Sequence, residues 1–249
     1  MGFWPVTKRV IKDSDIILLI LDARMPEFSK NKELERMIDF HDKTVIYVFN
    51  KIDIVSQRYL ESVRKMYPEA FFVSGVKNIG ISNLKKNLLI RAKKMKIKDP
   101  KIGVVGYPNV GKSAIINALA KRARAKVSKK AGTTKGIQWI KAGGLMVLDS
   151  PGVVPYEDNE SMLGVMGAKN IEKIVNVEKI AYKIIRMILN HDKKILERYY
   201  EIKITDDNFD SIFHQIAIKR GFLLKKGVVD ERRAALTIIR DWHAGKFRL

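Results

Sequence analysis

The residues best suited to chemistry in this chain form four short clusters, each directly following an apolar run. Gly106-Tyr107-Pro108-Asn109-Val110-Gly111-Lys112-Ser113 follows Ile102-Gly103-Val104-Val105 and precedes Ala114-Ile115-Ile116-Asn117-Ala118-Leu119, which reads as the opening of a helix. Glycines there let the backbone wrap a phosphate, and amides at the helix start face its charge. Asn109, Val110, Gly111 and Ala114 are expected to line that cradle, with Lys112 reaching the β- and γ-phosphates and the Ser113 hydroxyl taking Mg²⁺. Asp149-Ser150-Pro151-Gly152 follows Leu145-Met146-Val147-Leu148. Its carboxylate can hold the Mg²⁺ shell through water, while the Gly152 amide meets a γ-phosphate. Between these clusters lies Ala131-Gly132-Thr133-Thr134-Lys135-Gly136. Thr134, favoured over Thr133 by its spacing from Lys135-Gly136, is the expected Mg²⁺ ligand when that loop closes on a triphosphate.

Base choice falls to Asn50-Lys51-Ile52-Asp53, after the β-rich run Val45-Ile46-Tyr47-Val48-Phe49. Open α/β sheets bind ligands at the carboxyl ends of their strands. A carboxylate at Asp53 accepts two hydrogen bonds, matching the adjacent ring N–H and exocyclic amine of guanine. Adenine lacks that pair of donors and would leave the carboxylate unsatisfied. Asn50 and Lys51 are placed with Asp53 in the nucleotide site. Phe71-Phe72-Val73-Ser74-Gly75-Val76-Lys77 offers another strand end, where Ser74 and Gly75 could back the guanine carbonyl, although it departs from the usual Ser-Ala-Lys. The sites therefore imply GTP and GDP as ligands.

These clusters need a parallel sheet to converge. Six strand candidates are legible at 16–21, 45–49, 71–73, 102–105, 138–141 and 145–148, with helical stretches at 31–40, 57–66 and 83–95. Strands alternating with helices predict a parallel sheet with covered faces. Ras-like GTPases place the phosphate loop first and the base-reading box late. Here the order is reversed, which predicts a circularly permuted Ras-like P-loop domain over 1–155, its cut moved to just after Gly152. Beyond Val154 the pattern is helical alone. Val177, Ala181, Ile184, Ile185 and Ile188 share one face, and Phe209, Ile212, Phe213 and Ile216 repeat the pattern before Gly221. Asp230 is a candidate cap for a last helix carrying Ala234, Ala235, Ile238 and Trp242 inward. The expectation for 156–249 is a small all-α domain contacting RNA or ribosome and tethered to the Asp149–Gly152 switch.

The 249 residues carry a formal net charge of +21, unevenly. Residues 1–155 hold 30 Lys/Arg against 13 Asp/Glu, a surplus of 17; residues 156–249 hold 18 against 14, a surplus of 4. Lys121, Arg122, Arg124, Lys126, Lys129, Lys130 and Lys135 form an acid-free run on the nucleotide-sensing loop. Either this is a solvated face or the Lys-rich habit of a thermophile, or it is a polyanion footprint that bound nucleotide could modulate. Lys219, Arg220, Lys225 and Lys226, placed between helices, are further candidates for RNA contact. Without cysteine the chain has neither disulfides nor thiolate metal sites, and His41, His191, His214 and His243 lack metal-ligand spacing. No apolar run approaches twenty residues and no signal pattern opens the chain, so a cytoplasmic protein without membrane contact is expected.

Asp22-Ala23-Arg24-Met25-Pro26, Gly132-Thr133-Thr134-Lys135-Gly136, Gln138-Trp139, Gly221 to Gly227 and Asp241 to Lys246 resemble motifs of the circularly permuted ribosome-assembly GTPases. That family is related to the bacterial large-subunit assembly GTPase and its nucleolar and mitochondrial counterparts. The resemblance covers nearly the full chain. It implies a GTP-hydrolysing switch in ribosome assembly, on the large subunit, contacting rRNA and monomeric off the ribosome. The alternative is a guanine-nucleotide-gated RNA-binding adaptor for another structured RNA, with hydrolysis incidental. Val153 stands where many Ras-like GTPases place a water-orienting Gln, and an aliphatic side chain cannot hold water. The resemblance to bacterial members implies a His near the N-terminus for that role, but Phe3-Trp4-Pro5-Val6-Thr7-Lys8 has none. No catalytic side chain is therefore assigned, and slow hydrolysis completed by a ribosomal or K⁺-assisted element is expected. Asn109 occupies the position that ligates K⁺ in related potassium-dependent GTPases, or it braces the loop.

Overall fold

The structure is a computed structural model that describes residues 4–121, 139–154, 160–206 and 208–249. The chain divides into two compact units, Met1–Asp53 with Gln57–Tyr156 and Ile54–Ser56 with Glu157–Leu249. The first is built on a six-stranded sheet. Its elements run α1 (Trp4–Asp13), β1 (Ile16–Asp22), α2 (Pro26–Ser29), α3 (Lys32–Phe40), β2 (Thr44–Asn50), α4 (Gln57–Met66) and β3 (Phe71–Phe72). They continue through α5 (Ile81–Lys94), β4 (Lys101–Gly106), α6 (Lys112–Lys121), β5 (Trp139–Lys141) and β6 (Met146–Asp149). The sheet order is β3-β2-β1-β4-β6-β5, parallel throughout except for β5, which pairs antiparallel with β6 at one edge.

This is the expected α/β class with a mostly parallel sheet, and the sequence explains its layering. β1 reads Ile-Ile-Leu-Leu-Ile-Leu-Asp and is buried at every position, as befits an inner strand covered on both faces. α3 turns Leu34 and Ile38 inward and is capped by Asn31, whose side chain accepts from the Leu34 amide. α5 buries Ile81, Leu84, Leu88 and Ala92 at helical spacing. Register then sets the function of the sheet. Asp22 pairs with Asn50 across β1 and β2, Ile20 with Gly106 across β1 and β4, and Val104 with Asp149 across β4 and β6. The polar clusters singled out in the sequence thus leave the sheet at one edge, side by side.

The strand boundaries moved by a residue or so. Leu145 precedes β6 and accepts from the Ala142 amide, while Val73 lies past β3 with its amide on the Phe49 carbonyl. Gln138 lies outside the described residues. α1 and α2 had no counterpart in the sequence reading. α1 is ten residues with Thr7, Val10 and Ile11 buried, too short a stripe to stand out beside its charges.

The second unit is helical: α7 (Glu160–Met166), α8 (Val177–Leu189), α9 (Lys194–Tyr200), α10 (Phe209–Lys219) and α11 (Glu231–His243), with short 3₁₀ turns at Ile171–Lys173 and Lys225–Gly227. α8 buries Val177, Ile180, Ala181, Ile184, Ile185 and Ile188 against α7 and α11. α11 offers Ala234, Ala235, Ile238, Ile239 and Trp242 in return. The Trp242 indole donates to the Val165 carbonyl at 2.9 Å. Asn208 caps α10 through the Asp210 and Ser211 amides, and Asp230 caps α11 through the Arg233 amide. The segment Ile54–Ser56 belongs to this unit: the Leu249 amide donates to the Ile54 carbonyl and the Ser56 amide to the Leu249 carbonyl. No helix among the described residues is long and apolar enough to cross a membrane.

Candidate functional site at the strand ends

The loop from Gly106 to Gly111 joins β4 to α6. A Cβ at Gly111, whose φ is +96°, would overlap the Asn50 amide, so only glycine lets the loop lie against β2. Lys112 is buried with its ammonium donating to the Tyr107 carbonyl at 2.8 Å and the Gly106 carbonyl at 3.3 Å. Burial pushes its pKa down to about 8, with Asp149 pulling the other way. Ser113 donates its hydroxyl to Asp149 Oδ2 at 2.8 Å. Asp149 Oδ1 is buried with no hydrogen-bond partner, an uncompensated acceptor beside a hydroxyl at the strand end. Oxygen donors so placed suit a hard divalent cation.

Gly152 follows two residues after Ser150, whose hydroxyl is spent on the Val104 carbonyl. A Cβ at Gly152 would stand 2.6 Å from the Pro108 backbone, so this segment runs directly along the phosphate loop. Val153 donates its amide to the Gly106 carbonyl and buries its side chain. Trp4, at the start of α1, donates its indole N–H to the Val154 carbonyl at 3.1 Å. That contact spans 150 residues, and the sequence carried no signal for it.

Asn50 joins the two halves of the site. Its amide nitrogen donates to the Val110 carbonyl at 2.8 Å, and its amide oxygen accepts from the Gly75 N–H at 3.0 Å. Gly75 in turn lies flush against the backbone of Ala114 and Ile115. Ser74 is buried and accepts from the Lys77 amide. Asp53 sits half-buried in the 3₁₀ turn Ile52–Ile54. Lys51 adopts φ +69° and turns its ammonium onto Asp22 at 2.7 Å. The loops bearing Asn50, Ser74, Gly75, Val110, Lys112, Ser113, Ala114, Asp149 and Gly152 are thereby brought together.

Thr134 and the basic residues Arg122, Arg124, Lys126, Lys129 and Lys130 lie outside the described residues; Lys121 ends α6. In the helical unit, Lys219 and Arg220 are exposed, Arg220 lying just past the end of α10. Lys219 is the last residue of α10 and pairs with Glu201 at 3.0 Å, while Arg220 stacks over Tyr199 and Tyr200. Lys225 and Lys226 stand exposed in the turn Lys225–Gly227, and Lys226 has φ +66°. Among the described residues no cluster of His, Asp and Glu could hold a metal ion by itself. His243 spends Nε2 on the Gly164 carbonyl.

A model of the RsgA GTPase family matches residues 5–158, more than half of the chain, and one described as a 50S ribosome-binding GTPase matches 101–216. The chain belongs to the circularly permuted ribosome-assembly GTPase family. Within that family it is 38% identical to an uncharacterized GTP-binding protein of Methanocaldococcus jannaschii over 97% of this chain and 65% of the relative. It is 32% identical to GTPase grn1 of Schizosaccharomyces pombe, over 96% of this chain and 59% of the relative. A nuclear/nucleolar GTPase 2 of Arabidopsis thaliana is also 32% identical, over 98% and 43%. The chain spans less than two thirds of the length of each of these relatives. A GDP-bound structure of YlqF superposes with a TM-score of 0.65 at 26% identity, covering 96% of this chain and 94% of that one. A GNP-bound YlqF from T. maritima gives 0.61 at the same identity and coverage. The permuted order of boxes legible in the sequence is thus the order of this family.

Proposed function

We propose that this chain binds GTP and GDP and hydrolyses GTP as a switch in assembly of the large ribosomal subunit, contacting rRNA. The observation that carries the reading is Asn50, whose amide locks the phosphate loop at Val110 to the loop at Gly75. That brace fixes the distance between a phosphate cradle and the base-reading Asp53. In this reading Asp53 accepts from the guanine edge, Ser74 and Gly75 back its carbonyl, and the amides from Asn109 to Ala114 face the phosphates. Lys112 leaves its own loop carbonyls for the β- and γ-phosphates.

Ser113 and Asp149 fit Mg²⁺, the hydroxyl directly and the carboxylate through water, with Thr134 as the switch ligand. The unpartnered Asp149 Oδ1 is the observation that supports the assignment. Bound there, Mg²⁺ would neutralise charge on the phosphates. Asn109 is proposed as a K⁺ ligand. The RNA contacts are assigned to Lys121, Arg122, Arg124, Lys126, Lys129 and Lys130, with Lys219, Arg220, Lys225 and Lys226 in the helical unit. We place its work on ribosomal precursors in the cytoplasm; the nucleolar names belong to eukaryotic relatives.

One observation favours a second reading, the nucleotide-gated adaptor. Val153 buries its side chain where a water-orienting residue would be needed, so the isolated chain lacks that group at this position. Turnover measured with and without large-subunit precursors, in matched KCl and NaCl, separates the two. Stimulation by the particle supports the switch. Guanine-nucleotide-dependent co-sedimentation without stimulated turnover supports the adaptor.

A further inference from the structure

Asp22 closes β1 directly opposite Asn50 and is almost fully buried. Its carboxylate is saturated. Oδ1 accepts from the Arg24 amide at 3.0 Å and from Arg24 Nε at 3.1 Å, and Oδ2 accepts from Arg24 Nη2 at 2.8 Å and Lys51 Nζ at 2.7 Å. The Ala23 amide adds a bond to the Asn50 carbonyl, pinning the end of β1 to the start of the box. Arg24, itself buried, already balances the charge of Asp22. The second cation is not needed for neutrality, and bringing it in costs Lys51 water and places it beside another cation. Burial and Arg24 both push the Lys51 pKa down, while Asp22 pushes it back up. Lys51 also holds a left-handed backbone conformation that L-residues avoid. A contact maintained against those costs points to positioning rather than charge balance. The residue so fixed leads directly into the turn Ile52–Ile54 that carries Asp53.

Resting on the guanine-nucleotide reading above, we propose that Asp22 and Arg24 are positioning residues for base selectivity, acting through Lys51 on the placement of Asp53. The motif at the end of the first strand is, on this view, part of the guanine site without touching the nucleotide. Breaking the tie lets the turn wander, so the carboxylate no longer meets both guanine donors together.

The test compares GDP with IDP, which lacks the exocyclic amine, by competition against a fluorescent GDP analogue. Lys51→Met should reduce the preference for GDP over IDP about tenfold, the scale of one charge-assisted hydrogen bond. Lys51→Arg, whose guanidinium can reach the same carboxylate, should keep it. Asp22→Asn should lose the preference to the same extent, and Asp22→Asn combined with Lys51→Met should be no worse than either alone. Thermal unfolding of each variant shows whether it is folded; if Asp22→Asn is not, the Met and Arg variants of Lys51 decide. Full GDP preference in folded Lys51→Met, or additive losses in the double variant, would overturn the proposal. A native protein that prefers neither GDP over ATP nor GDP over IDP would instead overturn the guanine reading beneath it.

Discussion

Every buried polar or charged side chain among the described residues, from Thr7 to Ser150, lies in the sheet unit. The helical unit buries Ile, Ala, Val, Leu, Met and Phe, with Tyr200 and Trp242 as its amphipathic exceptions, and both of those find partners. The contrast has a physical cause. A helix satisfies its backbone internally, so a bundle can close on apolar stripes alone. The strand ends of an open parallel sheet expose peptide groups in loops, and side chains such as Asn50, Asp22 and Ser150 must satisfy them. Polar groups that are already fixed by such bonds are the ones a ligand can use at little ordering cost.

That comparison can be broken most directly from the helical side. Ile184→Asp places an unpaired carboxyl in the α8 stripe and should cost about 4 kcal/mol, read by denaturant unfolding. Nucleotide affinity in the folded fraction should be unchanged. Next in size, Lys112→Met should weaken GTP binding by about 3 kcal/mol in calorimetric titration, since a charge-assisted phosphate contact is lost. It should not lower the melting temperature, because it removes a buried ammonium rather than a packed one. Asn50→Ala should cost about 2 kcal/mol of stability by orphaning the Val110 carbonyl and the Gly75 N–H. It should also weaken nucleotide binding, linking the two losses in one residue as no helical-unit substitution does.

A smaller effect follows from protonation. The free protein gives up the Lys112 proton above a pKa of about 8, whereas a bound triphosphate requires it. Affinity should therefore be flat below pH 8 and fall above it, by about tenfold per pH unit at most, and this fall should be absent in Lys112→Met. For folding the sign is opposite. The unfolded chain binds this proton more tightly, so stability from this group rises as pH increases through 8 toward 10.5. Asp230→Ala should have the least effect, about 1 kcal/mol of stability through the lost cap of α11, with no change in nucleotide affinity.

The two units were also legible by different signals. Helical spacing located the α8, α10 and α11 stripes, because one face of each helix is apolar, and an Asp just ahead of the last stripe located its cap. α9 escaped, having only seven residues and two inward side chains, Leu196 and Tyr200. The sheet was legible from apolar runs ending in Gly, Asn or Asp, which put Asn50, Lys112, Ser113 and Asp149 near one another. What held them there was not legible. The Asp22–Lys51 tie depends on β1 and β2 pairing in one register, and the Asn50 brace depends on where two loops come to rest. The Trp4 contact with Val154 joins residues that no local pattern connects.

The three residues Ile54–Ser56 have a consequence for the connectivity of the molecule. Because they belong to the helical unit while Asp53 and Gln57 belong to the sheet unit, the chain passes between the units at 53–54, at 56–57 and again at 156–157. Severing the last passage leaves two intact. A single proteolytic nick there would yield two polypeptides, 1–156 and 157–249, the second held to the first only by noncovalent bonds within its own unit, among them those between Leu249 and the Ile54–Ser56 segment. Parting them takes no second cut, only release of the three residues that immediately follow Asp53 from the helical unit they belong to.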